Sequence, residues 1–441
     1  MKNALKSKAR RNFLRYSAAG AGVAALGAIG DQAQLTRPVN AVALPNHKRL
    51  IVINMLGGND GLNTVYPVSA AEHAAYMNVR PTLGFAQGAG RVLTGGPGVN
   101  EFELHPSLAN VQARWNANQV AIINKVGYPQ QNLSHFVSED IWSYGARGGL
   151  QALSGYAPGW VARYANTYAP TNMGVASIGV GRRLDFEGAT ASPFLVSSVA
   201  SFNYRIDYNY SNNHALRLET IQNILAQQPA GNIVGDIAVA GASAFTAAAQ
   251  VQAAVTDYNN YATLNGIQYP IRAGTTSTLT TMGSRLRDIA TLIHGGFETR
   301  VFYTGYGGFD THSNQLAGHA ALLTDLDDAL GVFFTDMTTQ GVWNDIAIVV
   351  ISEFGRRNYE NGSNGTDHGH GSCVMVVGGP VNGGMYGDDP TVADLNLGHL
   401  GYTTDFRDIY RALLLQHLGH DPGPPLLFPE TQPTSNIYNL V

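Results

Sequence analysis

The chain has 441 residues, of which 44 % are hydrophobic and only 13 % are charged. The charged share is about half of the usual ~25 %. This apolar content excludes disorder for most of the chain. The length is compatible with two or three domains, or with one large α/β domain that carries insertions.

The charge is unevenly distributed along the chain. The formal net charge is −4, but the first 15 residues hold six basic residues and no acidic one. From residue 44 onward, 20 Lys and Arg stand against 30 Asp and Glu, which gives −10. A nucleic-acid-binding protein needs a basic surface, so this class is disfavoured and no nucleic-acid partner is expected.

The N-terminus has the pattern of an export signal. Arg10 and Arg11 are followed by Asn-Phe-Leu and then by an Ala- and Gly-rich apolar stretch over residues 16–30. A basic segment before a short apolar run is typical of a secretory signal peptide, and the adjacent arginines indicate the twin-arginine type. We therefore predict that residues 1–43 are a signal peptide and that the protein is periplasmic or extracellular.

Small residues predict where this signal is cleaved. Ala41 and Ala43 stand at −3 and −1 of a mature chain that starts at Leu44, and residues 28–30 offer an alternative. No later segment is long and apolar enough to predict a stable membrane span. The single cysteine, Cys373, leaves no internal disulfide and lies in an apolar run that is typical of a core thiol rather than a nucleophile.

Five apolar runs predict strands that are buried on both faces of a sheet. They cover residues 48–56, 120–124, 301–304, 345–351 and 373–377. Apolar residues at helical spacing predict helices over residues 105–115, 138–144 (starting near Ser134), 284–294, 316–338 and 404–418.

This alternation of strands and helices predicts an α/β fold with a mostly parallel central sheet flanked by helices. The stretch from about 150 to 283 is rich in Tyr, Asn, Ser, Ala and Gly and has no comparable apolar run. We expect it to form a large insertion or cap within one domain that covers residues 44–441.

Polar residues stand next to these strands, at the edge where open α/β sheets bind ligands. Asp60 follows the first strand, and Asp310 and His312 follow the third. Glu353 follows the fourth strand, and an Asp-His-Gly-His run at 367–370 precedes the fifth. Carboxylates and imidazoles in this mixture suit Zn²⁺, Mn²⁺ or Mg²⁺, so we predict one or two divalent metal ions.

Each of these residues also has a structural interpretation. Asp60 lies in a turn-forming sequence, Asp310 could cap a helix, and Glu353 could pair with a nearby arginine. The run that supplies His368 and His370 is harder to explain without a metal ion. Together, the four polar groups favour a metal site more than any one does alone.

Ser134 is the candidate nucleophile. It precedes His135 at a predicted helix start, where the helix dipole and free backbone N–H groups suit an anionic group. A nearby metal ion would lower the pKa of its hydroxyl. The alternative interpretation is an N-cap serine. Arg356 could add a guanidinium that clamps the substrate anion.

These motifs resemble those of the DUF1501 family, a domain of unknown function in the alkaline-phosphatase-like superfamily. The resemblance covers nearly the whole mature chain and rests on GGNDG at 57–61, SHF at 134–136, GW at 159–160, FDTH at 309–312, SEFGR at 352–356 and HGHG at 368–371. The superfamily holds two metal ions at the carboxyl edge of its sheet, and a Ser or Thr attacks a phosphate or related ester between them. The resemblance therefore implies a hydrolase of small-molecule or polymer esters.

The resemblance also assigns metal ligands. Asp60 would bind the ion that activates the nucleophile, and Asp310, His312 and His370 would help to bind the other ion. Glu353 would replace the Asp of the superfamily's Asp-His pair.

The second ligand set departs from the superfamily pattern. Phe354 stands where a His is usual, which leaves His368 or Asp367 as the candidate replacement. The Asp-x-His spacing at 310–312 is also shorter than in alkaline phosphatases.

Two functions from different classes fit this pattern. The first is an exported metal-dependent hydrolase of phosphate or related esters, with Ser134 as nucleophile. The second is a non-catalytic exported binding or surface-assembly protein that retains the fold and has exported protein partners. A metal-free Ser-His hydrolase is disfavoured because the chain lacks a Gly-x-Ser-x-Gly elbow. A formylglycine sulfatase is disfavoured because Cys373 does not lie in a Cys-x-Pro-x-Arg motif.

Overall fold

The structure is a computed structural model. It describes residues 47–94, 101–145, 158–181, 183–203, 214–227, 233–420, 437 and 439–441. The predicted signal peptide and both cleavage sites lie outside the described residues.

The described strands form one large and one small sheet. Their bounds are β1 (Arg49–Leu56), β2 (Val65–Pro67), β3 (Arg91–Val92), β4 (Phe102–Leu104), β5 (Val120–Gly127), β6 (Val175–Ile178), β7 (Phe194–Val196), β8 (Val301–Gly307), β9 (Ile346–Ile351), β10 (Ser372–Gly378), β11 (Gly384–Tyr386) and β12 (Thr404–Asp405). The central sheet has the order β11-β5-β10-β9-β1-β8-β6-β7, with β12 also paired to β5. The small sheet has the order β2-β4-β3.

The central sheet is mostly parallel, as predicted. Among its described strands, β10 alone runs antiparallel to its neighbours, β5 and β9. The five predicted strands are confirmed as β1, β5, β8, β9 and β10. Successive residues of β1 enter different cores: Ile51 and Ile53 pack into one, Leu50 and Val52 into the other. Burial on both faces explains why these strands are continuous apolar runs.

Helices cover both faces of this sheet and connect its strands. The described ones are Gly61–Thr64, Ala70–Val79, Ala109–Asn116, His135–Tyr144, Trp160–Tyr168, His214–Ala226, Ile233–Leu264, Thr281–His294, Gln315–Thr339, Val392–Leu395 and Phe406–Ala412. The fold class predicted from the sequence, an α/β sheet flanked by helices, is therefore confirmed.

Two helices start later than their apolar patterns suggest, because a carboxylate fixes each start. Asp327 accepts hydrogen bonds from the backbone N–H groups of Asn110 and Val111, both at 2.9 Å, and so caps the helix Ala109–Asn116. Asp405 accepts from the backbone N–H of Arg407 and caps the helix Phe406–Ala412. The latter continues into a π-helical turn, Leu413–His417.

The stretch from about 150 to 283 takes part in the central sheet. It contributes β6, which pairs with β8, and β7, which pairs with β6. The sequence shows no long apolar run there because these strands have only four and three residues. The helices His214–Ala226 and Ile233–Leu264 lie outside the sheet, and the bounds of a separate insertion stay a prediction.

One helix in the described part of the chain is long and apolar enough to cross a membrane. This segment is Ile237–Leu264, with a mean hydropathy of 1.3 over its most apolar window, of which 28 % is buried. The expectation that no later segment reaches this length and apolarity is therefore wrong. Val251 and Tyr258, on one face of the segment, belong to the hydrophobic core.

The buried carboxylate of Asp336 connects the segment Ile237–Leu264 to the core by a hydrogen bond. Asp336, on the helix Gln315–Thr339, is fully buried. Its Oδ2 accepts hydrogen bonds from the hydroxyls of Tyr258 at 2.5 Å and Tyr269 at 3.0 Å. Its Oδ1 accepts from Gln340 Nε2 at 2.8 Å. The carboxylate thus ties residues about 70 positions upstream to the helix that supports the sheet.

We expect Asp336→Ala to lower the free energy of unfolding by about 2–4 kcal/mol, because it leaves two buried tyrosine hydroxyls without their acceptor. Chemical denaturation followed by tryptophan fluorescence measures the change. Thr335→Ala, at the exposed neighbouring position, should change the stability by less than ~0.5 kcal/mol. Equal losses in the two variants would contradict this role of Asp336.

Candidate metal centre

The loops that carry the predicted site meet at one edge of the central sheet. β1 pairs in parallel with β8 on one side and β9 on the other, so the carboxyl ends of all three lie together. β10 runs antiparallel to β9, so the loop before it starts from the same edge. This topology brings together segments that are almost 300 residues apart in sequence.

Four side chains converge at this edge and form what we call the His–Asp cluster. Asp310 Oδ1 lies 3.0 Å from His312 Nε2, 3.2 Å from His368 Nε2 and 3.5 Å from His135 Nε2. The Nε2 atoms of His312 and His368 are 3.0 Å apart. One carboxylate oxygen is therefore surrounded by three imidazole nitrogens.

The other nitrogen of each imidazole has an acceptor that fixes its proton. His135 Nδ1 lies 2.7 Å from Glu353 Oε1, His312 Nδ1 lies 3.2 Å from Asp367 Oδ1, and His368 Nδ1 lies 2.8 Å from the carbonyl oxygen of Leu133. Because carboxylate and carbonyl oxygens only accept, each Nδ1 is the donor. The lone pair of each neutral ring is then on Nε2, inside the cluster.

This donor set fits a divalent metal ion. The lone pairs of three imidazoles and one carboxylate face one another, an arrangement that a cation stabilises. The ligand atoms of His135, Asp310 and His368 all lie within 4.8 Å of one another, and His312 Nε2 lies 3.0 Å from both Asp310 Oδ1 and His368 Nε2. The hydrogen bonds from Nδ1 to outer acceptors are also the usual support of metal-bound histidines.

The charges around the cluster keep its carboxylate ionised. Burial favours the neutral form of Asp310, but the hydrogen bond and charge of Arg356, with contributions from His368 and His312, lower its pKa to about 2. The hydrogen bond to Glu353 raises the pKa of His135 against the opposing effect of burial. The carboxylate at the centre of the cluster is therefore ionised.

Glu353 lies behind the cluster rather than inside it. Its Oε1 accepts hydrogen bonds from the Gly57 backbone N–H at 2.8 Å and from His135 at 2.7 Å, and its Oε2 accepts from Ser352 Oγ at 3.1 Å. The side chain is 1 % exposed. It therefore orients His135, where the sequence suggested a direct ligand.

The structure places two other predicted ligands in different surroundings. Asp60 is buried, and its Oδ2 accepts from Arg80 Nη1 at 2.5 Å and from Gln315 Nε2. The ring of His370 stacks on that of His399, with centroids 4.4 Å apart. Neither side chain belongs to the His–Asp cluster.

Arg356, predicted to clamp the substrate, uses its guanidinium inside the protein. It is buried and its three nitrogens donate to five acceptors: the carbonyl oxygens of Gly57, Gly58, Phe309 and Thr366, and Asp310 Oδ1. This arrangement fixes the position of Asp310 and directs the guanidinium hydrogen bonds to acceptors within the protein.

Ser134 stands at the N-cap of the helix His135–Tyr144, as its predicted position suggests. Its side chain makes no capping hydrogen bond. Its backbone N–H donates to Asn132 Oδ1 at 2.8 Å, which orders the turn before the helix. The hydroxyl thus stands next to a cluster residue and is not used as a cap.

The sequence places His135 directly after the candidate nucleophile without a role of its own, and the structure places its imidazole in the cluster. The available signal was its position beside Ser134 at a helix start. Asp367, considered only as a substitute ligand, instead supports His312. Their roles follow from loops that meet only in the folded chain.

The motifs on β8, β9 and β10 that meet at this edge lie within one matched region. Residues 288–419 match DUF1501, described as "Protein of unknown function (DUF1501)". The resemblance seen in the motifs is confirmed for this part of the chain. The DUF1501 region supplies Asp310, His312 and His368, whereas His135 comes from outside it. No curated protein matches the chain.

Solved structures of similar fold have very low sequence identity. Alkaline phosphatase from the Antarctic bacterium TAB5 is 9 % identical, with a TM-score of 0.33, 86 % of this chain covered and 100 % of that chain. The lipoteichoic acid synthase LtaP from Listeria monocytogenes is 8 % identical, with a TM-score of 0.37 and coverage of 89 % and 76 %. Ps i-CgsB in complex with k-i-k-neocarrahexaose is 9 % identical, with a TM-score of 0.39 and coverage of 85 % and 73 %.

We expect Glu353→Gln to weaken metal binding by about 10–100-fold, because the variant loses the charge that orients and polarises His135. Competition with a chromophoric chelator for Zn²⁺ measures the affinity. Glu298→Gln, at an exposed position, is the matched control and should leave the affinity unchanged. Unchanged affinity in Glu353→Gln would show that Glu353 does not support a metal ligand.

Proposed function

We propose that this protein is an exported metal-dependent hydrolase of phosphate or related esters. The observation that carries the proposal is the convergence of three Nε2 atoms on Asp310, each imidazole being held by an outer acceptor. Such a preorganised donor set at the carboxyl edge of an α/β sheet supports a metal site over an incidental set of surface side chains.

The ligand types narrow the choice of metal. Imidazole nitrogens suit Zn²⁺ and related transition ions, whereas Mg²⁺ prefers oxygen ligands. His135, Asp310, His312 and His368 would hold the ion. When bound, it would supply Lewis-acid polarisation of an ester oxygen and would stabilise a nearby alkoxide. Zn²⁺ or Mn²⁺ is therefore the expected cofactor.

The chain itself contributes a nucleophile and an anion-binding element. Ser134 is the N-cap of a ten-residue helix, and the backbone N–H groups of a helix's first turn have no partner within the helix. These groups and the helix dipole favour a phosphate or similar anion beside the serine hydroxyl. In this proposal, Ser134 attacks an ester whose charge is bound at the helix end.

The enzyme hypothesis predicts different defects for the ligand and the nucleophile. Asp310→Asn should lose both metal and activity, because the central carboxylate provides the negative charge of the site. Ser134→Ala should keep the metal but lose at least about 10³-fold in activity. Elemental analysis and turnover of generic phosphomonoester and phosphodiester substrates measure both effects.

Ser363→Ala, in an exposed loop, is the control and should retain metal and activity. Wild-type protein that binds no metal and hydrolyses none of these esters would refute the proposal. Full activity of Ser134→Ala would refute the assignment of the nucleophile alone.

We also propose that the protein leaves the cytoplasm by the twin-arginine route. Replacing Arg10 and Arg11 together with Lys should retain the unprocessed precursor in the cytoplasm, because the adjacent arginines are the recognised element of such signals. Cell fractionation and immunoblotting measure the distribution. Arg15→Lys, outside the pair, should leave export unchanged, and normal export of the double variant would contradict the proposed route.

A non-catalytic binding protein is the second candidate function. Phe136, directly after His135, is 84 % exposed, and Val137 is 41 % exposed. Exposed apolar side chains beside a charged cluster suit contact with an exported protein partner. Metal-loaded protein without any ester turnover, and a cellular function that survives Ser134→Ala, would favour this candidate.

A further inference from the structure

Asp60 is neutralised by an internal cation. The carboxylate is 1 % exposed and lies directly after β1. Arg80, which follows the helix Ala70–Val79, is fully buried and donates from Nη1 to Asp60 Oδ2 at 2.5 Å. Burial opposes ionisation of Asp60, but the charge and hydrogen bond of Arg80 lower its pKa below the usual range.

The guanidinium of Arg80 is fixed by further acceptors. Its Nη1 also donates to Asn63 Oδ1 at 2.6 Å. Its Nε donates to the carbonyl oxygen of Asn358 at 2.8 Å, and its Nη2 donates to that of Arg357 at 2.9 Å. The guanidinium of Arg80 is therefore held in one position beside Asp60 by several hydrogen bonds.

An aromatic ring lies between the Asp60 loop and the His–Asp cluster. Phe354 is buried, and its ring centroid is 4.8 Å from that of His135 and 4.9 Å from that of His368. On its other side it reaches Gly58, where a Cβ would come within 2.4 Å of the ring. Phe354 offers no ligand atom and separates the Asp60 pocket from the cluster.

We propose that Arg80 takes the place of a second metal ion beside Asp60, so that the protein holds one exchangeable divalent ion, in the His–Asp cluster. This inference rests on the metal site of the proposed function and sets its stoichiometry. Arg80 satisfies the charge of the buried Asp60 carboxylate, and a metal ion added there would meet like-charge repulsion. Asp310 also accepts from Arg356, but its side chain is 47 % exposed and three imidazole nitrogens around its Oδ1 are further ligands for an ion.

Asp60 keeps one oxygen that a metal ion could use if Arg80 were absent. Its Oδ1 is buried and has no hydrogen-bond partner among the described residues. Removal of the guanidinium should therefore convert the pocket into a site that binds an added cation. Removal of both charges should abolish that capacity without affecting the cluster.

The test counts Zn²⁺ ions per chain, by elemental analysis and native mass spectrometry, in full-length protein loaded with Zn²⁺ and dialysed. We expect one ion in the wild type, two in Arg80→Met, one in the double variant Asp60→Asn/Arg80→Met, and none in Asp310→Asn. The double variant replaces both charges by neutral side chains of similar size.

Two ions in the wild type, or loss of the ion from the double variant, would overturn the inference and leave the hydrolase proposal standing. A single ion in folded Arg80→Met would also overturn it. If Arg80→Met does not fold, Arg80→Gln, which removes the charge and keeps a hydrogen-bond donor, is counted in its place with the same expectation of two ions. No ion in the wild type would refute the metal centre itself, so the two failures are distinguishable.

Discussion

The buried guanidinium of Arg356 joins three loops that leave different strands of the sheet. It donates to carbonyl oxygens after β1 and after β8 and to one before β10, and it binds the Asp310 carboxylate at 2.7 Å. It fixes the central ligand of the cluster, and the three imidazoles are arranged around that ligand. Arg356 therefore holds the three loops together rather than binding a substrate, because displacement of any one of these loops would move Asp310.

The three imidazoles of the cluster are also held in position by residues outside it. Glu353 and Asp367 each hold one ring, and the Leu133 carbonyl holds the third. These acceptors select the tautomer that turns every Nε2 inward, so they set the chemistry of the cluster without entering it. Asp60 shows the contrast: both carboxylates accept from an arginine, but Asp60 is buried and its other partner is the donor Gln315, whereas three imidazole nitrogens surround the half-exposed Asp310. Two carboxylates at one sheet edge thus have opposite roles because their partners differ.

Much of the fold could be predicted because its central strands are long and buried on both faces. β1 and β9 are continuous apolar runs, and their helical neighbours keep a 3.6-residue period. β6 and β7 are not predicted from the sequence, because strands of four and three residues are too short to form a recognisable apolar run. The apolar segment Ile237–Leu264 was underestimated because its many alanines are only mildly hydrophobic.

The order of motifs along the chain is enough to establish that polar residues follow buried parallel strands, and hence that they gather at one edge. It did not determine which of them face one another. Asp310, His312 and His368 stand in the cluster. Asp60 instead pairs with Arg80, Glu353 supports His135 from outside the cluster, and the ring of His370 stacks on that of His399. That division depends on side-chain direction and on contacts between segments hundreds of residues apart. Only the tertiary structure decides these, because burial and hydrogen-bond partners are properties of the assembled loops rather than of any motif.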